Sequence, residues 1–192
     1  MIISYLIKTI FIHVHRTGGS SMINMLKRAL PPEQVDIVAQ HGNAQTEDAA
    51  IFANFPDYFK FGFVRNPWDR LLSWYSLRNK WNPPVDLETD RKQFEEFLES
   101  DMALQGDDSF YYNQLDYFTN VSHDLDQVTI YRYENYNEEV KKIAKKLDIT
   151  IEEIPQVNET TPKDYRDYYT EKSKALIEKK CARDIAHFGY SF

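Results

Sequence analysis

A run rich in β-branched and aromatic residues, Thr9–Val14, leads through His15 into Arg16-Thr17-Gly18-Gly19-Ser20-Ser21. Met22, Met25, Leu26, Ala29 and Leu30 then recur at helical spacing until Pro31-Pro32 stops them. Strand, glycine turn and amphipathic helix in direct succession commit the chain to an α/β architecture. The two glycines allow positive φ and let a ligand approach the backbone amides closely. Successive N–H groups at a helix N-terminus favour an anion, and the hydroxyls of Thr17, Ser20 and Ser21 add donors. Arg16 brings a permanent charge and a planar fork suited to phosphate or sulfate oxygens. A Gly-Gly turn can also be a plain chain reversal, so this one needs corroboration.

A second strand-to-helix turn supplies it. Lys60–Val64 reads as a strand closed by Arg65; Asn66 stands at an N-cap position, Pro67 at the first helical position and Asp69 in the first turn, where its charge suits the macrodipole. A helix is predicted from Pro67 to about Asn79, with Ser73 two turns along it. Arg65 from the strand end and Ser73 from the helix can face one anion. Arg70 reads as a structural charge, and Trp68, Trp74 and Tyr75 as core or pocket wall.

Elsewhere Met1–Ile12 holds one or two core strands and Val35–Ala39 another. Thr46–Phe55 is a short predicted helix with Thr46 as N-cap. Asp90–Ser100 is helical with Phe94, Phe97 and Leu98 inward, Val128–Tyr131 a strand, and Tyr136–Leu147 a helix. Thr170–His187 is predicted as one final helix bearing Leu176, Ile177 and Ile185. Alternating strands and helices predict a three-layer α/β domain over residues 1–192, its mostly parallel sheet flanked by helices. Ligands in such sheets bind beyond the carboxyl ends of the strands, where both turns lie.

The net charge of −7 excludes a broad nucleic-acid or membrane-surface footprint, yet leaves room for a local basic pocket. The single cysteine, Cys181, rules out an intramolecular disulfide and a cysteine metal cluster. The apolar opening stretch is too short for a membrane span and lacks the pattern of a signal peptide, as expected of a cytoplasmic protein. The first turn does not fit Gly-x-x-x-x-Gly-Lys-Ser/Thr, and no lysine precedes Ser20; an anion handled without a metal is therefore expected.

The two turns resemble those of the sulfotransferases that use 3′-phosphoadenosine-5′-phosphosulfate (PAPS), particularly the carbohydrate O-sulfotransferase branch, and the resemblance implies a P-loop-like fold. That family grips the 5′-phosphosulfate with a turn such as Pro-Lys-Thr-Gly-Gly-Thr-Ser, implying that Arg16, Thr17, Gly18, Gly19, Ser20 and Ser21 do so here. Arg16 stands where lysine is usual, so it would stabilise charge on the leaving phosphate rather than donate a proton. Arg65-Asn66-Pro67-Trp68-Asp69-Arg70-Leu71-Leu72-Ser73 resembles the 3′-phosphate segment, implying that Arg65 and Ser73 bind that phosphate. Ile130–Tyr136, Tyr165–Tyr169 and Phe188–Tyr190 are similar to further family segments, and Arg132 is either a pocket charge or a partner of Glu134. Asn158–Thr161 resembles the loop over the nucleotide, which implies a contact from Thr160.

Attack by a hydroxyl requires a proton acceptor near pKa 7, a role for histidine. His13 reads as a core group within a strand, and His15 as packing or positioning at the cradle mouth. His123 and His187 fall in a polar loop and a late helix. His41 follows the Val35–Ala39 strand at the same sheet edge as the turns, and in related carbohydrate sulfotransferases a histidine so placed is the base. Glu47 and Asp48 are carboxylate rivals. The region Asn82–Asn120, with Phe110, Tyr111, Tyr112, Asp116, Tyr117 and Phe118, suits either a sugar platform or core packing. The expected activity is sulfuryl transfer from PAPS to an acceptor hydroxyl, favouring a saccharide, with release of the desulfated nucleotide PAP and no metal. A non-catalytic PAP- or PAPS-binding module and a kinase-like phosphotransferase are the alternatives. Oligomeric state leaves no signal in the sequence.

Overall fold

The computed structural model describes residues 1–38, 54–100, 112–119, 125, 127–155, 157 and 164–192. Its strands are β1 (Ile2–Ser4), β2 (Thr9–Ile12), β3 (Val35–Ile37), β4 (Phe59–Val64) and β5 (Val128–Arg132), in one sheet of order β3-β1-β2-β4-β5. β2 pairs parallel with β4, and β4 with β5. β1 is antiparallel to both its neighbours, β2 and β3. The opening apolar run is thus a hairpin, turning at Tyr5–Lys8 with Lys8 left-handed at φ 46°. Two reversals cancel, so β3 points the same way as β2, and its carboxyl end lies at the edge where β2 and β4 end.

Side-chain alternation along β2 and β4 decides the layering. Phe11, Phe61 and Phe63 face helix α1 (Gly19–Ala29) and α4 (Tyr136–Lys146), meeting Met22, Met25, Leu26, Val140 and Ile143. Ile10, Ile12 and Val64 face the opposite way, onto α2 (Pro67–Arg78), α3 (Leu87–Glu99) and α5 (Glu171–Lys180), through Trp68, Leu71, Leu72, Phe94, Leu98 and Ile177. The result is a three-layer α/β fold of the P-loop-like type, with a mostly parallel central sheet between helices. A helix as short as α1 is marginal alone; its three buried apolar side chains, Met22, Met25 and Leu26, each contributing about 1.5–3 kcal/mol, hold it.

The predicted single final helix is two. Cys181, at φ −106° and ψ 22°, ends α5 and begins α6 (Ala182–Phe188). The bend has a structural cause on its far side. Asp184, fully buried, accepts from the backbone N–H groups of Gln114 and Leu115 at 2.6 and 3.0 Å, a reach that the bend permits. Burial pushes the Cys181 thiol up to about 12, leaving an inert buried thiol. The other predicted elements differ by a few residues at their ends, as fraying and capping allow. The predicted Thr46–Phe55 helix lies largely outside the described residues. None of the described helices is long and apolar enough to cross a membrane.

Candidate functional site

The turn between β2 and α1 is tighter than two glycines alone would make it. Arg16 is itself left-handed at φ 63°, a conformation costing on the order of 1–2 kcal/mol for a non-glycine residue. Gly18 follows at φ 79° and is the N-cap of α1. A Cβ there would also fall 2.5 Å from the Tyr136 ring, whose hydroxyl donates to the Gly18 carbonyl at 2.8 Å. Gly19 has a different reason: its φ is not positive, and the place of its missing Cβ is filled by the His13 ring, 1.7 Å from where that carbon would stand. The expectation of positive φ at both glycines is corrected for Gly19, whose missing Cβ makes room for the His13 ring.

Among the described helices, α1 has neither a capping side chain nor an acid in its first turn. In contrast, Asn66 Oδ1 caps α2 by accepting from Trp68 N–H at 3.1 Å, with Asp69 in the first turn as predicted. The N-terminal N–H groups of α1 are therefore the ones left to an exogenous anion. Not every predicted hydroxyl donor points there. Thr17 Oγ donates to the Val14 carbonyl at 2.9 Å and is fully buried, so its proton is spent within the turn. Ser21 Oγ accepts from Val157 N–H at 3.2 Å, while Ser20 stands half-buried in the first turn of α1.

The two turns meet. Arg16 donates through Nε and Nη2 to Ser73 Oγ at 3.0 and 2.7 Å, across 57 positions of sequence. Arg65 Nη1 donates to the Arg16 carbonyl at 3.3 Å. Arg65 also forks onto Asp69 at 2.7 and 2.9 Å and lies over the Tyr133 ring at 4.5 Å. Burial, and then the like charge of Arg65, push the Arg16 guanidinium down to about 10, still protonated at neutral pH. Two cations against one carboxylate, beside an uncapped helix N-terminus, make a site that an anion stabilises.

Other residues settle into structural places. His15 is buried, with Nδ1 2.6 Å from the Tyr117 hydroxyl and its ring edge-on to Trp74. Arg70 is fully buried and donates to the Tyr112 carbonyl at 2.9 Å. Arg132 does not pair with Glu134: it donates to the Phe188 carbonyl and covers the Tyr190 ring. Glu134 instead accepts from Asn66 N–H at 2.6 Å. Tyr117 and Phe118 pack in the core, and Asp116 pairs with Arg183 at 2.7 Å. His41, Glu47, Asp48 and Thr160 lie outside the described residues.

The sequence reading missed Asp69 as the partner of Arg65, although the i,i+4 spacing was a signal for it. It also missed Gln114, whose side-chain amide accepts from Arg65 N–H at 2.9 Å and donates to the Arg65 carbonyl at 2.8 Å. Nothing local marks a glutamine for that task.

Comparison with known proteins bears on this geometry. The profile of the sulfotransferase family matches residues 2–191. No curated protein matches significantly. Among solved structures, the chain is similar to the mouse sulfotransferase SULT7A1 crystallised with PAP, at 16% identity and a TM-score of 0.54, over 98% of this chain and 91% of that one. It is also similar to a sulfotransferase from Alicyclobacillus acidocaldarius, at 17% identity and a TM-score of 0.37, over 75% of this chain and 60% of that one. With the family pattern running from β1 through to the segment after α6, the chain belongs to the sulfotransferase family.

Proposed function

We propose that this chain moves the sulfuryl group of PAPS to an acceptor hydroxyl, with a saccharide as the favoured acceptor, by in-line displacement. Family membership makes sulfuryl transfer the reaction class. The observation that carries the finer reading is the hydrogen-bonded meeting of Arg16, Ser73 and Arg65, which unites the segments matching the 5′- and 3′-phosphate motifs. That a structurally similar sulfotransferase was crystallised with PAP supports the same nucleotide here. PAPS supplies the activated sulfuryl group: the acceptor oxygen bonds to sulfur as the bond from sulfur to the 5′-phosphate oxygen breaks.

The residues of this chain then have distinct tasks. Arg16 and the amides of Thr17 through Ser21 offset the negative charge that grows on the departing 5′-phosphate. Positioning and electrostatics of this kind supply most of the catalysis in related phosphoryl transfers. Arg65 and Ser73 hold the 3′-phosphate; Arg65 keeps donors for it, since three of its N–H groups are engaged and a guanidinium carries five. Thr160 contacts the nucleotide. His41 takes the acceptor proton, supported by the direction of β3, which sends the chain toward the common sheet edge. In the rival arrangement Glu47 or Asp48 does so.

Two substitutions separate these tasks. Arg65→Ala is expected to weaken PAP binding by about 1.5–3 kcal/mol, the worth of a charge-assisted contact; unchanged affinity in calorimetry would remove Arg65 from the site. His41→Ala is expected to lower turnover roughly 100-fold with PAP affinity retained. Normal turnover would transfer the role to a carboxylate.

The deciding experiment is calorimetric titration of the metal-free protein with PAP, with ATP as control, followed by a panel of hydroxyl acceptors with PAPS. Micromolar PAP binding, much weaker ATP binding and transfer to a sugar hydroxyl are the expected results. PAP binding with transfer to no acceptor would leave a nucleotide-binding module. ATP binding that needs magnesium would turn the reading toward a kinase-like phosphotransferase.

A further inference from the structure

One 3-10 turn, Gln114–Tyr117, touches both anion-facing turns at once. Gln114 is fully buried, and its amide engages the N–H and the carbonyl of Arg65 as a neighbouring strand residue would. Tyr117, at the other end of the same turn and also fully buried, holds the ring of His15 through its hydroxyl. His15 follows β2 and precedes Arg16; Arg65 follows β4, the strand parallel to β2. One rigid turn therefore bridges the carboxyl ends of two paired strands.

The bridge is itself anchored. The carboxylate of Asp184 on α6 accepts from the N–H groups of Gln114 and Leu115 and from Gln114 Nε2 at 3.0 Å. Those acceptors fix which way the amide points: Nε2 faces Asp184 and the Arg65 carbonyl, and Oε1 faces the Arg65 N–H. Both Nε2 protons are used, so Gln114 has one satisfied orientation. Burial pushes the Asp184 carboxyl above the ordinary carboxylate range, and the positive charge of Arg70 and the N–H groups of Gln114 and Leu115 oppose that shift only in part.

We infer that Gln114, Tyr117 and Asp184 are positioning residues that set the separation between Arg65 and the Arg16–Ser21 turn, and with it the fit of a nucleotide bearing both a 3′- and a 5′-phosphate. The inference rests on the nucleotide reading proposed above. It makes the 3′-phosphate contact depend on a glutamine that touches only the backbone of Arg65.

The test is calorimetry with PAP and with 5′-AMP, which lacks the 3′-phosphate, on the full chain and on Gln114→Met, Tyr117→Phe, Arg65→Ala and the Gln114→Met/Arg65→Ala double variant. Gln114→Met is expected to weaken PAP about tenfold, the scale of a buried hydrogen-bonded contact, and 5′-AMP by less than about twofold. In the Arg65→Ala background the same change is expected to alter PAP affinity by less than about twofold, because its effect travels through the Arg65 side chain. Tyr117→Phe, which removes one hydroxyl and little volume, is expected to weaken PAP about fivefold, the scale of one such bond, and 5′-AMP by less than about twofold, because only a ligand bearing both phosphates senses the separation. Equal losses for both ligands in Gln114→Met, persisting without Arg65, would mean a merely structural role and overturn the inference. So would PAP affinity that Arg65→Ala abolishes but Gln114→Met and Tyr117→Phe leave unchanged. If Gln114→Met does not fold, Tyr117→Phe decides alone. A wild-type chain that binds no PAP overturns the nucleotide reading, and this one with it.

Discussion

Arg16→Ala is expected to lower turnover of PAPS by about 10²–10³-fold, the cost of removing one preorganised group aimed at developing charge. Arg16 stands two residues before Gly18, the N-cap of α1, and both its neighbours in the cluster hold it there: Ser73 accepts from it, and Arg65 donates to its carbonyl. Arg16→Lys keeps the charge but loses the planar fork that meets Ser73 through two nitrogens, so an intermediate loss of roughly tenfold is expected. Because residue 16 is left-handed, Arg16→Gly serves as a control for backbone strain. Equal losses in the glycine and alanine variants would assign the effect to the guanidinium. The readout is the initial rate of PAP formation at saturating PAPS, beside the melting temperature; a rate within about twofold of wild type would exclude Arg16 from the chemistry.

The largest expected effect on stability comes from a methyl group. Gly19→Ala would place its Cβ inside the His13 ring, which is buried and stacked on Phe11 at 6.0 Å between centroids. Overpacking of this kind costs roughly 1–3 kcal/mol and more where the neighbour cannot yield, and here the upper end is expected. Thermal or urea denaturation measures it. His13→Ala in the same chain should recover much of the loss, since the clash then has no partner. A Gly19→Ala protein as stable as wild type would show that the start of α1 shifts freely, and the geometry of the anion turn with it.

Legibility followed the range of the interactions. The β2-turn-α1 and β4-turn-α2 units were readable because their signals are local: apolar periodicity, a glycine turn, and Asn-Pro opening a helix. The parallel pairing of β2 with β4 followed from that alternation. The reversal of β1 was not readable, because Met1–Ile12 carries no glycine or proline where Tyr5–Lys8 turns. Nor was the break at Cys181, which answers to Asp184 seeking two N–H groups about 70 residues away. Arg16, Arg65 and Ser73 were legible as residue types suited to anions, while their mutual contact was visible only in the fold. Gln114 and Tyr117 sat in an aromatic stretch whose composition fitted a sugar platform equally well, and their partners are 49 and 102 positions distant.

Those separations impose an order on folding. Arg16 meets Ser73 across 57 positions, His15 meets Tyr117 across 102, and Asn66 donates to the Ser191 carbonyl across 125. Contacts of such high order form late, after the entropy of closing the long loops between them has been met. A ribosome could release strands β1 to β4 and both glycine- and proline-marked turns long before α6 exists to seat Asp184 beneath the bridge. Nucleotide capture would then require α6 and the segment after it to be in place, so a bound nucleotide would stabilise chains in which Asp184 is seated over those in which it is not.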